Sequence, residues 1–190
     1  MRPLLVVLLL LSVGCAAPYR LVRAVDGGPL ATPAPVTVLP VTYDGLQVGK
    51  LDEPSYVAAN DNAVGWAEKK ARWGGLLRGA LLDHVTSRPM RAADDVGSGL
   101  VLEINVPLLE PGGESNGIMR PSRTKAVARV RMAGSDEVLY EATSETSHGG
   151  PGDRVGDDHR VLGMFLARFL DEQLVPRAPN GQPVTASGAR

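Results

Sequence analysis

The apolar residues of this chain fall into runs whose spacing names the elements. Val36-Thr37-Val38-Leu39-Pro40-Val41-Thr42 is rich in β-branched residues and predicts a strand. Pro40 within it marks an edge position or a bulge, because proline has no N–H to donate. Leu100, Leu102, Ile104 and Val106 alternate with Glu103 and Asn105, which predicts a strand with one buried face. Ala126, Ala128, Val130 and Met132 alternate with Val127, Arg129 and Arg131. After Ala133-Gly134-Ser135-Asp136 the chain returns with Val138, Tyr140 and Ala142 on one face. Leu139, Glu141, Thr143 and Glu145 share the other. A turn centred near Ser135 makes these two runs a hairpin. It sets Val130 against Tyr140, Arg129 against Glu141 and Lys125 against Glu145. Apolar and opposite-charge pairs then support one register, and a slip of one residue would spoil both.

Two helices follow from the same reasoning. Trp66, Trp73, Leu77, Ala80, Leu81 and the His84/Val85 pair share one face of a helix over 62–87, opened by Asn60-Asp61-Asn62 and closed by Arg88-Pro89. Gly74-Gly75 in its middle costs about 1 kcal/mol per Gly relative to Ala, so it marks a close crossing with the sheet or a bend. Val161, Leu162, Phe165, Leu166, Phe169 and Leu170 form a broad stripe over 157–175. Asp157-Asp158 supply its cap and first-turn charge, and Pro176 stops it. Residues 43–45 read as a turn, 46–60 as a loop and 110–122 as a long polar loop. The order β-α-β-β-β-α predicts an α+β fold: an antiparallel or mixed sheet of about four to five strands with two helices packed on one face.

The N-terminal run has a different character. Arg2 precedes Leu4-Leu5-Val6-Val7-Leu8-Leu9-Leu10-Leu11-Ser12-Val13, then Gly14 and Cys15. The run is too short to span a bilayer, which takes about 20 residues. It has the n-region, h-region and small-residue exit of a secretory signal. Residues 1–14 therefore read as a signal peptide that ends at the single cysteine of the chain. In an oxidising compartment a lone thiol is a liability unless chemistry consumes it. The stretch resembles the signal of a bacterial lipoprotein, with Leu11-Ser12-Val13-Gly14-Cys15 as the lipobox. Leu11 stands one position further from the cysteine than the family's usual leucine, and Ser12 takes that place. The resemblance implies acylation of Cys15 and a membrane anchor. Ala16, where a retention signal would have Asp, implies the outer membrane facing the periplasm. Residues 15–34 then form a lipidated N-terminus and tether, with Tyr19 to Val25 alternatively a short edge strand. Residues 35–176 form one domain, and 177–190, without apolar period, a disordered tail.

Composition narrows the partners. Twenty basic and 21 acidic residues nearly cancel without a basic block, which argues against a nucleic-acid partner. Aromatics are only 4%, so the core must rest on Val, Leu and Ala.

The candidate chemistry is thin. His148, Asp153, Asp157, Asp158 and His159 lie within twelve residues, and His148, Asp157 and His159 are the candidates for a metal, at spacings that match no metal signature. Gly149 to Gly156 precedes a helix, but Asp157-Asp158 would repel a phosphate there. Gly113-Glu114-Ser115-Asn116-Gly117 fits the bare pattern of a nucleophile elbow without the strand and helix it needs. These readings imply no enzyme and no cofactor. The domain loosely resembles small α+β accessory lipoproteins of the envelope. That implies a non-enzymatic binding, assembly or transport-accessory role with an envelope protein partner, docked by strand addition at the hairpin edge. The alternative is a carrier of lipid or a small ligand, with a pocket opened by Gly74-Gly75 and the hairpin's alanines.

Overall fold

The computed structural model describes residues 18–25, 35–60, 63–115, 118–150 and 152–174. Cys15, Leu11, Ser12, Val13, Gly14 and the stretch 177–190 lie outside them, as do Asp61 and Asn62. The elements in chain order are β1 (Tyr19–Ala24), β2 (Val36–Val38), β3 (Gln47–Val48), β4 (Leu51–Asp52), α1 (Glu53–Asn60) and α2 (Ala63–His84). After them come β5 (Met90–Ala92), β6 (Leu100–Glu110), β7 (Gly113–Ser115), β8 (Ile118–Arg120), β9 (Arg123–Met132), β10 (Val138–Thr146) and α3 (Arg154–Gln173).

The fold is α+β, with more elements than the pattern predicted. Among the described residues there are three helices, a sheet of eight strands and a separate two-stranded hairpin, β7–β8. The main path of the sheet is β1-β10-β9-β6-β2-β5. Its β1 to β6 half is antiparallel, whereas β2 runs parallel to β5 and β6. The stretch 46–60, expected as a loop, holds β3, β4 and α1, and the expected polar loop 110–122 holds β7–β8.

The predicted hairpin register holds. Tyr140 pairs with Val130, Glu141 with Arg129 and Glu145 with Lys125. Leu139 departs from the expected alternation. A bulge between Val138 and Tyr140 turns both Leu139 and Tyr140 into the core. Leu100, Leu102, Ile104 and Val106 are buried as expected. Val101, on the opposite face, is buried too. It pairs with Thr37, whose hydroxyl accepts a bond from Arg91 Nε at 2.9 Å. Gly97 packs onto that guanidinium, so the 93–99 loop roofs this corner of the outer face.

Pro40 is a bulge. The Leu39 N–H donates to Leu102 O at 3.0 Å, and pairing resumes where the Thr42 N–H donates to Ile104 O at 2.9 Å. The bulged Val41 meets α2 at Gly74, where a Cβ would stand 3.2 Å from Val41 Cβ. Gly74 thus marks a close crossing with the sheet, and its neighbour Gly75 faces open space.

Helix α3 begins earlier than expected. Its cap is Asp153, whose carboxylate accepts from the Gly156 N–H at 3.1 Å. Asp157 falls in the first turn and Asp158 is buried. The α2 and α3 helices lie side by side on one face of the sheet. Leu162, Leu166, Phe169 and Leu170 of α3 join Leu77 and Leu81 of α2 in the main core, over Ala126, Ala128 and Ala142 of the sheet.

Candidate functional site

The predicted metal candidates do not converge. His148 Nδ1 lies 2.7 Å from Asp158 Oδ1, and Thr124 Oγ1 donates to Asp158 Oδ2 at 3.2 Å. Asp157 accepts from Arg160 Nη1 at 2.6 Å. His159 faces another way. Its Nδ1 donates to Val155 O at 2.7 Å, and its Nε2 lies 3.1 Å from the Tyr43 hydroxyl. Among the described residues no three His, Cys, Asp or Glu side chains are grouped to hold an ion.

His159 belongs to a buried aromatic cluster between the helices and the Pro40 bulge. Its ring stacks on Trp73 at 5.8 Å, and Trp73 meets Trp66 edge-on at 5.6 Å. With Nδ1 donating to Val155, Nε2 of the neutral ring offers a lone pair, and the Tyr43 hydroxyl is the donor that faces it. Lys70 O, also 3.1 Å from that hydroxyl, competes for the same proton. Burial holds His159 below its ordinary pKa, against the upward pull of the Val155 carbonyl, Asp158 and Asp153. Burial likewise raises Tyr43 well above the usual phenol range. Asp153 ties this cluster to the helix start, accepting from Trp73 Nε1 at 3.3 Å and Arg72 Nη2 at 2.8 Å. These groups hold one another, and the cluster is structural.

Two surface grooves offer room for a ligand. One, of about 460 Å³, runs between the Pro40 bulge and α2. Its cations are engaged: Lys70 pairs with Glu53, and Arg78 donates to Val38 O at 2.6 Å and to Ala93 O. The other, of about 560 Å³, lies on the sheet face away from the helices, beside Asn105 and Arg129. That face carries a charge ladder: Arg131–Glu103 at 2.7 Å, Arg129–Glu141 at 2.7 Å and Arg123–Glu145 at 2.6 Å. The ladder satisfies itself across the strands. At Gly74 the side facing the sheet is taken up by Val41 and Tyr43, whereas Gly75 meets nothing within 4 Å and, with Gly74, lines the first groove.

The hairpin has no open edge. β9 pairs with β6, and β10 pairs with β1, so the edge on this side of the sheet is β1 and not the hairpin. The reading of residues 15–34 as tether is corrected over Tyr19–Ala24, where the edge-strand alternative is the observed one. Tyr19 fastens the strand. Its ring packs edge-on to Phe169 at 5.3 Å, and its hydroxyl donates to Glu172 and accepts from Gln173 Nε2. Burial and the Glu172 carboxylate raise the Tyr19 pKa, and the same bond lowers that of Glu172. Beyond Tyr19 the strand is exposed: Leu21 to 38% and Val22 to 53%. A bulge between Leu21 and Arg23 leaves Val22 out of the ladder. Among the described residues no strand pairs with the outer side of β1.

No family model and no curated protein matches the chain. Solved structures resemble it in fold. A PelC dodecamer from Paraburkholderia phytofirmans is 11% identical, with 80% of this chain and 96% of that one covered and a TM-score of 0.45. The hypothetical protein CT253 from Chlamydia trachomatis is 10% identical, with coverage of 75% and 98% and a TM-score of 0.47. Lipoprotein GNA1162 from Neisseria meningitidis is 14% identical, with coverage of 74% and 97% and a TM-score of 0.32. No helix among the described residues is long and apolar enough to cross a membrane.

Proposed function

We propose that this chain is a lipid-anchored, non-enzymatic assembly module of the bacterial envelope, held at the outer membrane by acylated Cys15. It recruits an envelope protein through the edge strand β1. The observation that carries this reading is the placement of β1. It is a sheet edge with exposed Leu21 and Val22, and it starts four positions after Cys15. Main-chain groups of an edge strand offer affinity to an incoming strand, and side chains beside them add selectivity. Arg20, Arg23 and the bulge at Val22 discourage indiscriminate pairing.

A photoreactive residue at Val22, in cells making the full chain, tests it. One envelope protein should crosslink from position 22 and not from Met164, exposed on α3. With the probe moved to the exposed neighbour Leu21, Val22→Pro should abolish the product with the chain still folded and in the membrane fraction. Cys15→Ala should release the chain from that fraction. Equal crosslinking from both positions would overturn the edge as the docking site.

A further inference from the structure

The strand register assigns each element to an end of the sheet. β6 ends at Glu110 opposite Arg123, where β9 begins, and β10 ends at Thr146 opposite Thr124. Tyr19, the first residue of β1, pairs with Ser144, near that same end. The β7–β8 hairpin joins β6 to β9 and so leaves the sheet there too. The turn Ala133-Gly134 and the 93–99 loop close the opposite end, where the Ala133 N–H donates to Gly99 O at 2.8 Å. The chain therefore enters the domain at the end that carries the hairpin.

Tyr19 lies four positions after Cys15, and an extended chain covers about 14 Å over those four steps. Strand β9, which leads out of the hairpin, is two strands from β1, about 10 Å across the sheet. An acyl anchor on Cys15 leaves this end of the sheet no room to stand away from the head groups.

The hairpin carries apolar side chains that the protein leaves uncovered. Ile118 is 67% exposed and Met119 47%. Neighbouring residues of a strand point to opposite faces, so neither face of the hairpin is covered at these positions. Its base is held rigidly. At Gly112, with φ of 70°, a Cβ would stand 2.7 Å from both Arg120 O and Ser122 N. The Ser122 N–H donates to His148 O at 2.8 Å, and Arg154 Nη1 donates to Arg120 O at 3.0 Å.

From these placements we infer that Ile118 and Met119 insert into the head-group layer of the bilayer that holds the anchor. The hairpin is a second membrane contact, which fixes the orientation of the sheet and leaves edge β1 running away from the membrane. This inference rests on the reading of Cys15 as acylated.

The test uses full-length acylated chains carrying Ile118→Cys or Val96→Cys. Acylation leaves the introduced cysteine as the one free thiol for a fluorescent label. Val96, 44% exposed in the 93–99 loop, marks the far end. The proteins are reconstituted in phosphatidylethanolamine–phosphatidylglycerol vesicles with a quencher on the acyl chains. The label at 118 should be quenched several-fold more than the label at 96. Met119→Cys, a second reporter on the other face of the hairpin, should behave like 118. Equal quenching at 118, 119 and 96, on chains whose intact mass includes the acyl groups, overturns the hairpin contact and leaves the anchor standing. An intact mass without acyl groups overturns the anchor, and the inference falls with it.

Discussion

Gly163 of α3 stands against Leu77 of α2 so closely that a Cβ at 163 would lie 2.4 Å from the Leu77 carbonyl oxygen. Ala80 Cβ and Leu81 N would stand 2.9 and 3.0 Å away. The obstacle is helix backbone, which cannot rotate aside as a side chain can. This contact lets the two helices close over the sheet, with Leu77, Leu81, Leu162 and Leu166 buried around it.

Gly163→Ala should therefore destabilise the domain by about 3 kcal/mol, the upper part of the usual cost of overpacking. Gly75→Ala is the matched control. Nothing lies within 4 Å of a Cβ there, and Ala gains about 1 kcal/mol over Gly inside a helix. Urea denaturation of both variants measures the contrast. Equal midpoints would show that the helices can separate at 163 without loss.

The features legible in the sequence were those written in neighbouring residues. The hairpin register followed from alternation in 126–132 and 138–145 with two opposite-charge pairs, Arg129 with Glu141 and Lys125 with Glu145. Pro40 announces an edge or a bulge because a missing N–H is a local fact, and the pairing resumed at Thr42 decides for the bulge. The features that escaped depend on distant partners. β1 has five of its six residues exposed, so no apolar period marks it; its place beside β10 comes from Tyr19 reaching Phe169 and Glu172. The cap of α3 is ambiguous in sequence because Asp153, Asp157 and Asp158 are the same residue type within six positions. Only Asp153 is turned back onto the Gly156 N–H. β7 and β8 are three residues each, too short for alternation to show. The metal candidates are near in sequence, yet Asp158 and His159 are consecutive residues of α3, about 100° apart around its axis, so one faces His148 and Thr124 and the other Tyr43.

His159 predicts a pH dependence of stability. Its folded pKa is lowered by burial, so below about 6.5 the unfolded chain binds a proton that the folded chain refuses. Stability is then greatest above the unfolded pKa and falls as pH drops from there toward the folded pKa. A tenfold difference in proton affinity between the two states is worth about 1.4 kcal/mol. The groups facing the ring are Tyr43 with Lys70 beside it, Trp73, Asp153 and Asp158. Proton NMR of the three imidazoles checks the sign. The His159 signal should begin to titrate only below 6.5, and a midpoint above that value would refute the assignment.

Asp171 of α3 predicts a second dependence, in acid. Its carboxylate gathers the turn that follows α2. The Thr86 N–H donates to it at 3.1 Å, Thr86 Oγ1 at 2.9 Å and the Ser87 N–H at 2.9 Å. Burial pushes its pKa up, but these donors outweigh burial and leave it below the ordinary 3.8. Asp171→Ala removes the charged acceptor of the Thr86 and Ser87 donors, of which Thr86 is exposed and can turn to water, and should cost about 1 kcal/mol at neutral pH. A lowered carboxyl stabilises the fold above the unfolded pKa and loses that contribution as pH falls through the folded one. The gap between wild type and Asp171→Ala should therefore narrow as pH falls below 3.8, where wild type surrenders the same bonds by protonation. Urea titrations at pH 7 and across the acid range measure it. A gap that stays constant through the acid range would mean that the variant loses packing and not these charge-assisted bonds.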